Sequence, residues 1–147
     1  MRTYLDNCMF NRPFDNQTQI RIRIESEAKL YIQDKIKSEV IELVWSYILE
    51  IENSQNPHDE RRIAIQKWKK FSIIRIVEKP GILTKANQLL KFGIKPKDAL
   101  HVASAVEGKA DYFLTTDDKL LSGINKSKMI KALNPLDYIK VLEKWKQ

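Results

Sequence analysis

Short apolar runs recur along the chain and are separated by longer segments that mix apolar and polar residues. The runs at residues 3–6, 41–45, 73–77 and 112–114 predict buried strands, and residues 129–133 predict an additional edge strand. Apolar spacing and capping residues predict helices at residues 19–37, from Ser46, at residues 57–71 and 84–91, from Pro96, and after Asn134-Pro135. Residues 7–17 are polar and predict a loop.

Strands that alternate with helices predict one α/β domain over residues 1–147, with a central, mostly parallel sheet of four to five strands. Helices on both faces of that sheet would make a three-layer α/β/α fold. For the helix at residues 19–37, Thr18 is the predicted cap, and the expected inner face comprises Ile20, Ile24, Ala28, Leu30, Tyr31 and Ile32. The expected inner face of the last helix comprises Leu136, Ile139, Leu142 and Trp145.

Acidic residues stand where predicted strands end and where one predicted helix begins. Asp6 closes the first apolar run, Asp117 and Asp118 follow the fourth, and Asp98 lies in the first turn of the helix that Pro96 opens. Each acid alone could simply stabilise a turn or a helix end. Parallel strands share one carboxyl edge, so the fold would bring these carboxylates together. Their repulsion would then be costly unless a cation or a shared proton offset it.

The charge of the chain favours a polyanionic partner. Lys and Arg total 26 against 19 Asp and Glu, which gives a net charge of +7. Because several acids are expected in one pocket, the rest of the surface should be strongly positive and should attract phosphates. The basic residues around Trp68 could form a phosphate and stacking face, but a solvated amphipathic helix with Trp68 inward is the favoured explanation.

The remaining reactive side chains narrow the chemistry. A single cysteine, Cys8, excludes an internal disulfide, and no signal or membrane-spanning segment is visible, so a reducing cytoplasm is expected. Cys8 is predicted to be a small buried residue and not a nucleophile, and His101 a packed, hydrogen-bonded histidine on an apolar helix. An all-oxygen donor set favours Mg²⁺ or Mn²⁺ over zinc.

Two motifs in the second half of the chain resemble those of the PIN domain, a family of metal-dependent nucleases. The family shows an Asp in D-A-x-x-x-A-x-A at the start of a helix, and this chain has Asp98-Ala99-Leu100-His101-Val102-Ala103-Ser104-Ala105. The family then shows a strand that ends in L-x-T-x-D, and this chain has Leu114-Thr115-Thr116-Asp117, one residue shorter. The first motif matches fully and the second closely.

Two further family elements fall in the first half of the chain. The first strand of the family ends in L-D followed by a small polar residue. Residues 4–7 here read Tyr-Leu-Asp-Asn, with Asn7 one place after the Asp instead of two. The family also carries an acid about six residues after a Ser that opens a helix, which favours Glu52 after Ser46 and leaves Glu50 as the alternative. The resemblance therefore covers nearly the whole chain.

The resemblance implies a site and a reaction. Asp6, Asp98 and Asp117, with Glu52 directly or through water, would hold one or two Mg²⁺ or Mn²⁺ ions that activate water for attack on RNA. The residues expected beside these ligands, or as their alternates, are Asn7, Glu50, Thr115, Thr116 and Asp118. Arg12, in the segment after Asp6, is expected to contact a substrate phosphate.

Small single-domain proteins of this type are most often ribonuclease toxins of toxin-antitoxin pairs, acting on tRNA, rRNA or mRNA. They are usually homodimers inhibited by a small antitoxin protein. This inference rests on analogy with similar proteins, because proteins of one fold can differ in function.

Two other functions stay open. A catalytically inactive PIN fold that binds RNA or a protein partner is favoured by the shifted position of Asn7 and the unsettled position of the Glu. A receiver-like, phosphate-handling domain would use Asp6 and Asp117 with Mg²⁺, but Glu78 and Lys79 after the third strand fit it poorly.

Overall fold

A computed structural model describes residues 1–145, with the side chain of Trp145, and hence its predicted inward position, outside the described part. The strands are β1 (Arg2–Leu5), β2 (Glu42–Ser46), β3 (Ser72–Ile76), β4 (Tyr112–Leu114) and β5 (Lys131–Leu133). The helices are α1 (Asn7–Asn11), α2 (Ile20–Lys37), α3 (Tyr47–Ser54), α4 (Asp59–Gln66), α5 (Pro80–Leu90), α6 (Pro96–Glu107), α7 (Asp118–Ser127) and α8 (Pro135–Trp145). Short 3₁₀ helices lie at Arg12–Phe14 and Lys67–Phe71.

The sheet is entirely parallel, with strand order β3-β2-β1-β4-β5. The chain runs from β1 outward to β3, crosses back, and continues through β4 to β5. Right-handed crossovers in these two directions place helices on opposite faces of the sheet. Accordingly α6 packs against α5 and β2, and α2 packs against α8. The prediction of a three-layer α/β/α fold is confirmed, with five strands in the sheet.

Parallel pairing brings the ends of β1, β2 and β4 to one edge of the sheet. Leu5 pairs with Leu114, and the backbone N–H of Asp6 donates to the Leu114 carbonyl at 3.0 Å. Ser46 ends β2 on the other side of β1. The residues that follow these strands therefore stand side by side, at the edge where open α/β sheets bind ligands.

The segment after β1 begins as a helix, so the loop predicted there is wrong. Asp6 caps α1 by accepting a hydrogen bond from the backbone N–H of Asn7. Met9 and Phe10 turn into the core, where the Phe10 ring lies 5.7 Å from the ring of Trp45. A helix of five residues is too short to display a 3.6-residue period, which is why the sequence pattern missed it.

The prediction of the inner face of α2 is wrong in part. Ile20, at 66% exposure, Ile24 and Leu30 lie on the surface, and Gln19 occupies the N-cap position in place of Thr18. The buried face instead comprises Glu25, Ser26, Ala28, Lys29, Ile32 and Ile36. Because charged residues occupy buried positions of this helix, the spacing of its apolar residues predicted the wrong face as the inner one.

Specific contacts allow those charges to be buried. Glu25 forms ion pairs with Arg12 and Arg21, each at 3.2 Å. The Lys29 ammonium lies about 5 Å from the ring centroids of Phe10 and Trp68, within cation–π range. Trp68 itself is buried, so it belongs to the core and not to a stacking face.

Four other elements depart from the prediction. Helix α5 begins at Pro80, four residues early, and the helix expected at residues 57–71 divides into α4 and a 3₁₀ helix. Helix α7 was not predicted, because the acids that open it read equally well as a turn. Leu136 of α8 is exposed, whereas Leu142 is buried. Within the described residues, no helix has the length and apolar content needed to cross a bilayer.

Candidate active site

Asp6 is fixed at the carboxyl end of β1 by neighbouring donors. Its Oδ1 accepts from the backbone N–H of Asn7 at 2.8 Å. Its Oδ2 accepts from Thr115 Oγ1 at 3.0 Å and from Cys8 Sγ at 3.2 Å. Only 6% of the residue is exposed. The ends of β1 and β4 therefore hold this carboxylate in one orientation.

Cys8 supports Asp6 and is not arranged as a nucleophile. Burial raises the pKa of the Cys8 thiol, and the negative charge of Asp6 raises it further. The thiol is therefore kept protonated and acts as a weak hydrogen-bond donor.

Asp98 lies in the first turn of α6, half-buried and close to the other proposed ligands. Burial raises the pKa of Asp98 to about 6, and the charges of Asp6, Asp117 and Glu52 raise it as well, partly opposed by His101. Three carboxylates are therefore near enough to disfavour ionisation of Asp98. Such mutual repulsion is typical of sites that bind a cation or share a proton.

Glu52 projects from α3 toward α6. Its Oε1 lies 2.6 Å from Nε2 of His101. Burial opposes ionisation of Glu52, but the contact with His101, together with Lys97 and Asn7, outweighs that effect and lowers the pKa of the carboxyl group. Glu52 is therefore held ionised beside Asp98, and Asn7 contributes to this environment.

Behind Glu52, His101 belongs to a chain of buried hydrogen bonds. Its Nδ1 lies 2.6 Å from the Tyr4 hydroxyl, which in turn lies 2.6 Å from Ser46 Oγ. Ser46 also accepts from the backbone N–H of Leu49 at 3.2 Å, so it caps α3 as predicted. The chain links β1, β2, α3 and α6 directly behind the acidic group.

The structure places Glu50 apart from this group. Its Oε1 pairs with Lys69 at 2.5 Å, and it lines a separate cavity of about 520 Å³ together with Trp45, Tyr47 and Arg75. Burial raises the pKa of Glu50, but hydrogen bonds from Lys69 and Gln66 outweigh it, so the net shift is downward. Of the two candidate acids on α3, Glu52 is the one beside Asp98.

Asp117 caps the helix that was not predicted. Its Oδ1 accepts from the backbone N–H groups of Lys119 and Leu120 at 3.0 and 3.1 Å. The side chain is exposed, and both capping bonds use the same oxygen. The second carboxylate oxygen is therefore not needed for the cap.

Other expected site residues serve a neighbouring ion-pair network. Asp118 is exposed and pairs with Arg21 at 2.8 Å. Arg12 donates to Thr116 Oγ1 at 2.8 Å and pairs with Glu25 and Asp15 at 3.2 and 3.3 Å. Arg12 is thus already engaged by carboxylates.

The donor chemistry of the site fits a hard divalent cation. The acids at the end of β1, on α3 and at the start of α7 all raise the pKa of Asp98 on α6, and carboxylates are the ligands that Mg²⁺ and Mn²⁺ prefer. Within residues 1–145, however, no three His, Cys, Asp or Glu side chains are grouped closely enough to hold a metal ion.

The sequence analysis did not foresee that His101 would contact Glu52. The usable signal was spacing, since residues three apart on a helix share a face, and His101 lies three after Asp98. The partner on α3 could not be read from the sequence, because the contact joins residues 49 apart.

Comparison with known structures supports the fold. The chain is similar to VapBC2 from Rickettsia felis, solved bound to a DNA fragment from its promoter, with a TM-score of 0.60, 14% identity, and coverage of 91% of this chain and 98% of the other. It is also similar to VapBC-1 from nontypeable Haemophilus influenzae, with a TM-score of 0.58, 16% identity, and coverage of 92% and 99%. No match was found among curated proteins.

A family model gives the assignment from the sequence itself. The PIN domain model matches residues 4–124, a span that includes Asp6, Glu52, Asp98 and Asp117 and most of the described chain. This chain therefore belongs to the PIN domain family.

Proposed function

We propose that this protein is a metal-dependent endoribonuclease that hydrolyses RNA phosphodiester bonds. The observation that carries the proposal is that the PIN domain match spans Asp6, Glu52, Asp98 and Asp117. Three of these acids lie at a strand end or a helix start. The raised pKa of Asp98, caused by burial and by the nearby charges of Asp6, Asp117 and Glu52, supports it. Grouping carboxylates at the ligand-binding edge of the sheet costs free energy, although the chain as a whole carries a net charge of +7. A partner that compensates this cost is therefore expected. A bound divalent cation would be such a partner.

Each acid has a role in this proposal. Asp6, Asp98 and Asp117 would hold Mg²⁺ or Mn²⁺, and Glu52 would take part directly or through water. When bound, the metal would activate water and stabilise charge on the phosphoryl oxygens. Asp6 is prepared for its role by Thr115, and Glu52 by His101 and Asn7. An acidic pocket without a cation would repel the substrate.

By analogy with the family, cleavage should leave a 5′-phosphate and a 3′-hydroxyl. Products that carry a 2′,3′-cyclic phosphate would contradict attack by water. The positive charge elsewhere on the surface would supply the salt-sensitive part of RNA binding.

We further propose that the protein is the toxin of a toxin-antitoxin pair. Two VapBC structures share its fold over more than nine-tenths of its length. This comparison supports a small antitoxin partner, and by analogy with the family we propose that it covers the acidic edge and that the toxin is a homodimer. Sedimentation that detects only a monomer-sized species at every concentration would defeat the homodimer.

The test is cleavage of end-labelled tRNA and rRNA by the purified protein with Mg²⁺ or Mn²⁺, beside EDTA. Asp98→Asn removes a proposed ligand, and Asp118→Asn is the matched control, because Asp118 pairs with Arg21 on the surface. Discrete fragments that are lost in EDTA and in Asp98→Asn, but retained in Asp118→Asn, are expected. Cleavage that survives EDTA would contradict a metal-dependent nuclease.

A second candidate function is an inactive PIN fold that binds RNA or a protein. The capping bonds of Asp117, together with the lack of a finished metal cluster among the described residues, favour it. Mn²⁺-dependent thermal stabilisation separates the two functions, because a cation that binds only the folded protein raises its melting temperature. Salt-sensitive RNA binding without such stabilisation would support the binding module.

A further inference from the structure

His101 is a polar side chain at the centre of the molecule whose two ring nitrogens both have partners. It lies on α6 one turn after Asp98, and none of its surface is exposed. Nε2 lies 2.6 Å from Glu52 Oε1, and Nδ1 lies 2.6 Å from the Tyr4 hydroxyl. A histidine needed only to fill space would not require two short polar contacts in opposite directions.

The identity of the partner fixes the proton on Nε2. An ionised carboxylate can only accept hydrogen bonds, so Nε2 must carry a hydrogen and donate it to Glu52. The network thus assigns the Nε2–H form of the ring, as histidine protons in structures are ordinarily assigned.

The contact at Nδ1 fixes the direction in which the ring points. Tyr4 is fully buried on β1, its ring stacks on Phe113 with centroids 5.3 Å apart, and its hydroxyl also contacts Ser46. The hydroxyl is therefore held by the sheet itself. It allows the imidazole little freedom to rotate, and the ring transmits this fixed geometry to Glu52.

Glu52 needs such a support more than the other acids do. The side chain of glutamate has three rotatable bonds, and that of Glu52 is 14% exposed. A short bond to a rigid, buried donor removes most of its alternative positions. Groups of this kind around metal ligands typically change metal affinity or activity by about 10- to 100-fold when they are mutated.

We propose that His101 is a positioning residue, which uses Tyr4 on β1 as an anchor and holds the Glu52 carboxylate toward the metal-binding group. The inference rests on the proposed function, since Glu52 must be directed for metal-assisted cleavage. The alternative is that Tyr4, His101 and Glu52 only satisfy one another's buried polar atoms and stabilise the packing of α3 against α6.

Two conservative substitutions separate these roles. The Nε2 atom of glutamine takes the place of the histidine Nε2, so His101→Gln keeps the donor to Glu52 and loses the acceptor for Tyr4. The polar atoms of asparagine take the place of Nδ1, so His101→Asn keeps the partner for Tyr4 and loses the donor to Glu52. Each variant retains one buried hydrogen bond. Urea unfolding is the control that tests whether both variants are folded.

The first readout is Mn²⁺ affinity, measured by thermal stabilisation over a range of Mn²⁺ concentrations. We expect His101→Asn to weaken Mn²⁺ binding by about 10- to 100-fold and His101→Gln to recover most of that loss. The rate of RNA cleavage should follow the same order, with the change in kcat and not in KM. Equal losses in the two variants, or losses that track only their stability, would overturn the positioning role.

The second readout does not depend on metal or RNA. Nitrogen-15 spectra of the wild-type protein in EDTA should show His101 with a protonated, hydrogen-bonded Nε2, and Glu52→Gln should shift that signal. An unprotonated Nε2 would overturn the inference even if the nuclease is active. A protonated Nε2 in a protein that binds no Mn²⁺ would instead disprove the proposed function and leave the hydrogen-bond assignment intact.

Discussion

Two groups of carboxylates flank the end of β4 and differ in how their charges are compensated. Thr115 donates to Asp6 on one side, while Thr116 accepts from Arg12 on the other. On the Thr116 side, each carboxylate has an arginine partner, and we call this set of Arg12, Arg21, Arg61, Asp15, Glu25 and Asp118 the arginine network. On the Thr115 side, the ion pairs found within residues 1–145 include none between Lys or Arg and Asp6, Asp98 or Asp117.

The difference separates charges that stabilise the fold from charges that we propose bind a cation. The arginine network joins α2 to the segment after α1 and to α7, and its charges are neutralised within the protein. On the other side, Thr115 and Cys8 hold Asp6 and His101 holds Glu52, while Asp6, Asp98 and Asp117 have no ion-pair partner among residues 1–145. Two adjacent residues after β4 thus have different roles. Thr116 belongs to the surroundings of the arginine network, and Thr115 to the candidate active site.

The largest expected effect comes from removing one uncompensated charge. Asp98→Asn should reduce RNA cleavage by at least about 1,000-fold, because metal-assisted charge stabilisation is worth several kcal/mol and each 1.4 kcal/mol is a factor of ten. The same variant should unfold at a higher urea concentration at pH 7 without metal, since the raised pKa of Asp98 makes its ionised form costly in the folded state. If Asp98→Asn were inactive and also unfolded at a lower urea concentration than the wild type, the difference drawn between the two groups of carboxylates would be contradicted.

Removing a cation from the arginine network should lower stability and leave metal binding unchanged. Arg12→Met leaves Glu25, only 4% exposed, with one partner fewer, and should lower the free energy of unfolding by about 3 kcal/mol. Mn²⁺ affinity should be unchanged. The control is Arg23→Met on the exposed surface of α2. A loss of RNA affinity without a loss of stability would instead restore Arg12 as a phosphate contact.

Lys29 tests whether a buried charge that has no ion-pair partner among residues 1–145 is enough to mark a functional site. Burial first, and Lys37 second, lower the pKa of Lys29 to about 7, well below that of an unfolded lysine. The unfolded chain therefore binds more protons between these values, and the free energy of unfolding should rise by about 2 kcal/mol from pH 7 to pH 9. Lys29→Met should abolish this rise, and Lys126→Met should not, as measured by urea unfolding at each pH. RNA cleavage should be retained in both variants.

The smallest effect is expected from Asp118→Asn. Asp118 lies next to Asp117 in the sequence but pairs with Arg21 at the exposed end of the arginine network. Surface pairs of this kind contribute little to stability. Cleavage rate and Mn²⁺ affinity should therefore match those of the wild type, and a loss of either comparable to that in Asp98→Asn would place Asp118 among the ligands.

The sequence predicts the sheet well because the apolar runs of its central strands β1, β2 and β4 are largely buried on both faces. It fails for the buried face of α2, where Glu25 and Lys29 replace apolar residues and depend on partners from distant elements. It also fails for α7, since Asp117 and Asp118 suit a turn and a helix start equally. Propensity and period describe local order, whereas these features depend on tertiary contacts.

The candidate site shows the same division. Motif and spacing point to Asp6, Asp98 and Asp117, because each occupies a strand end or a helix start. The arrangement of Glu52, Glu50 and Arg12 depends on which neighbours they meet in space, namely His101, Lys69 and Glu25. Sequence alone could not reveal that Arg12 is engaged by carboxylates.

The central claim is that the uncompensated carboxylates form a site for a divalent cation, and calorimetric titration of Mn²⁺ into the metal-free protein tests it most directly. The account predicts saturable binding by the wild type and by Asp118→Asn, and loss of that binding in Asp98→Asn. Absence of binding in the wild type, or equal binding by all three proteins, would contradict it.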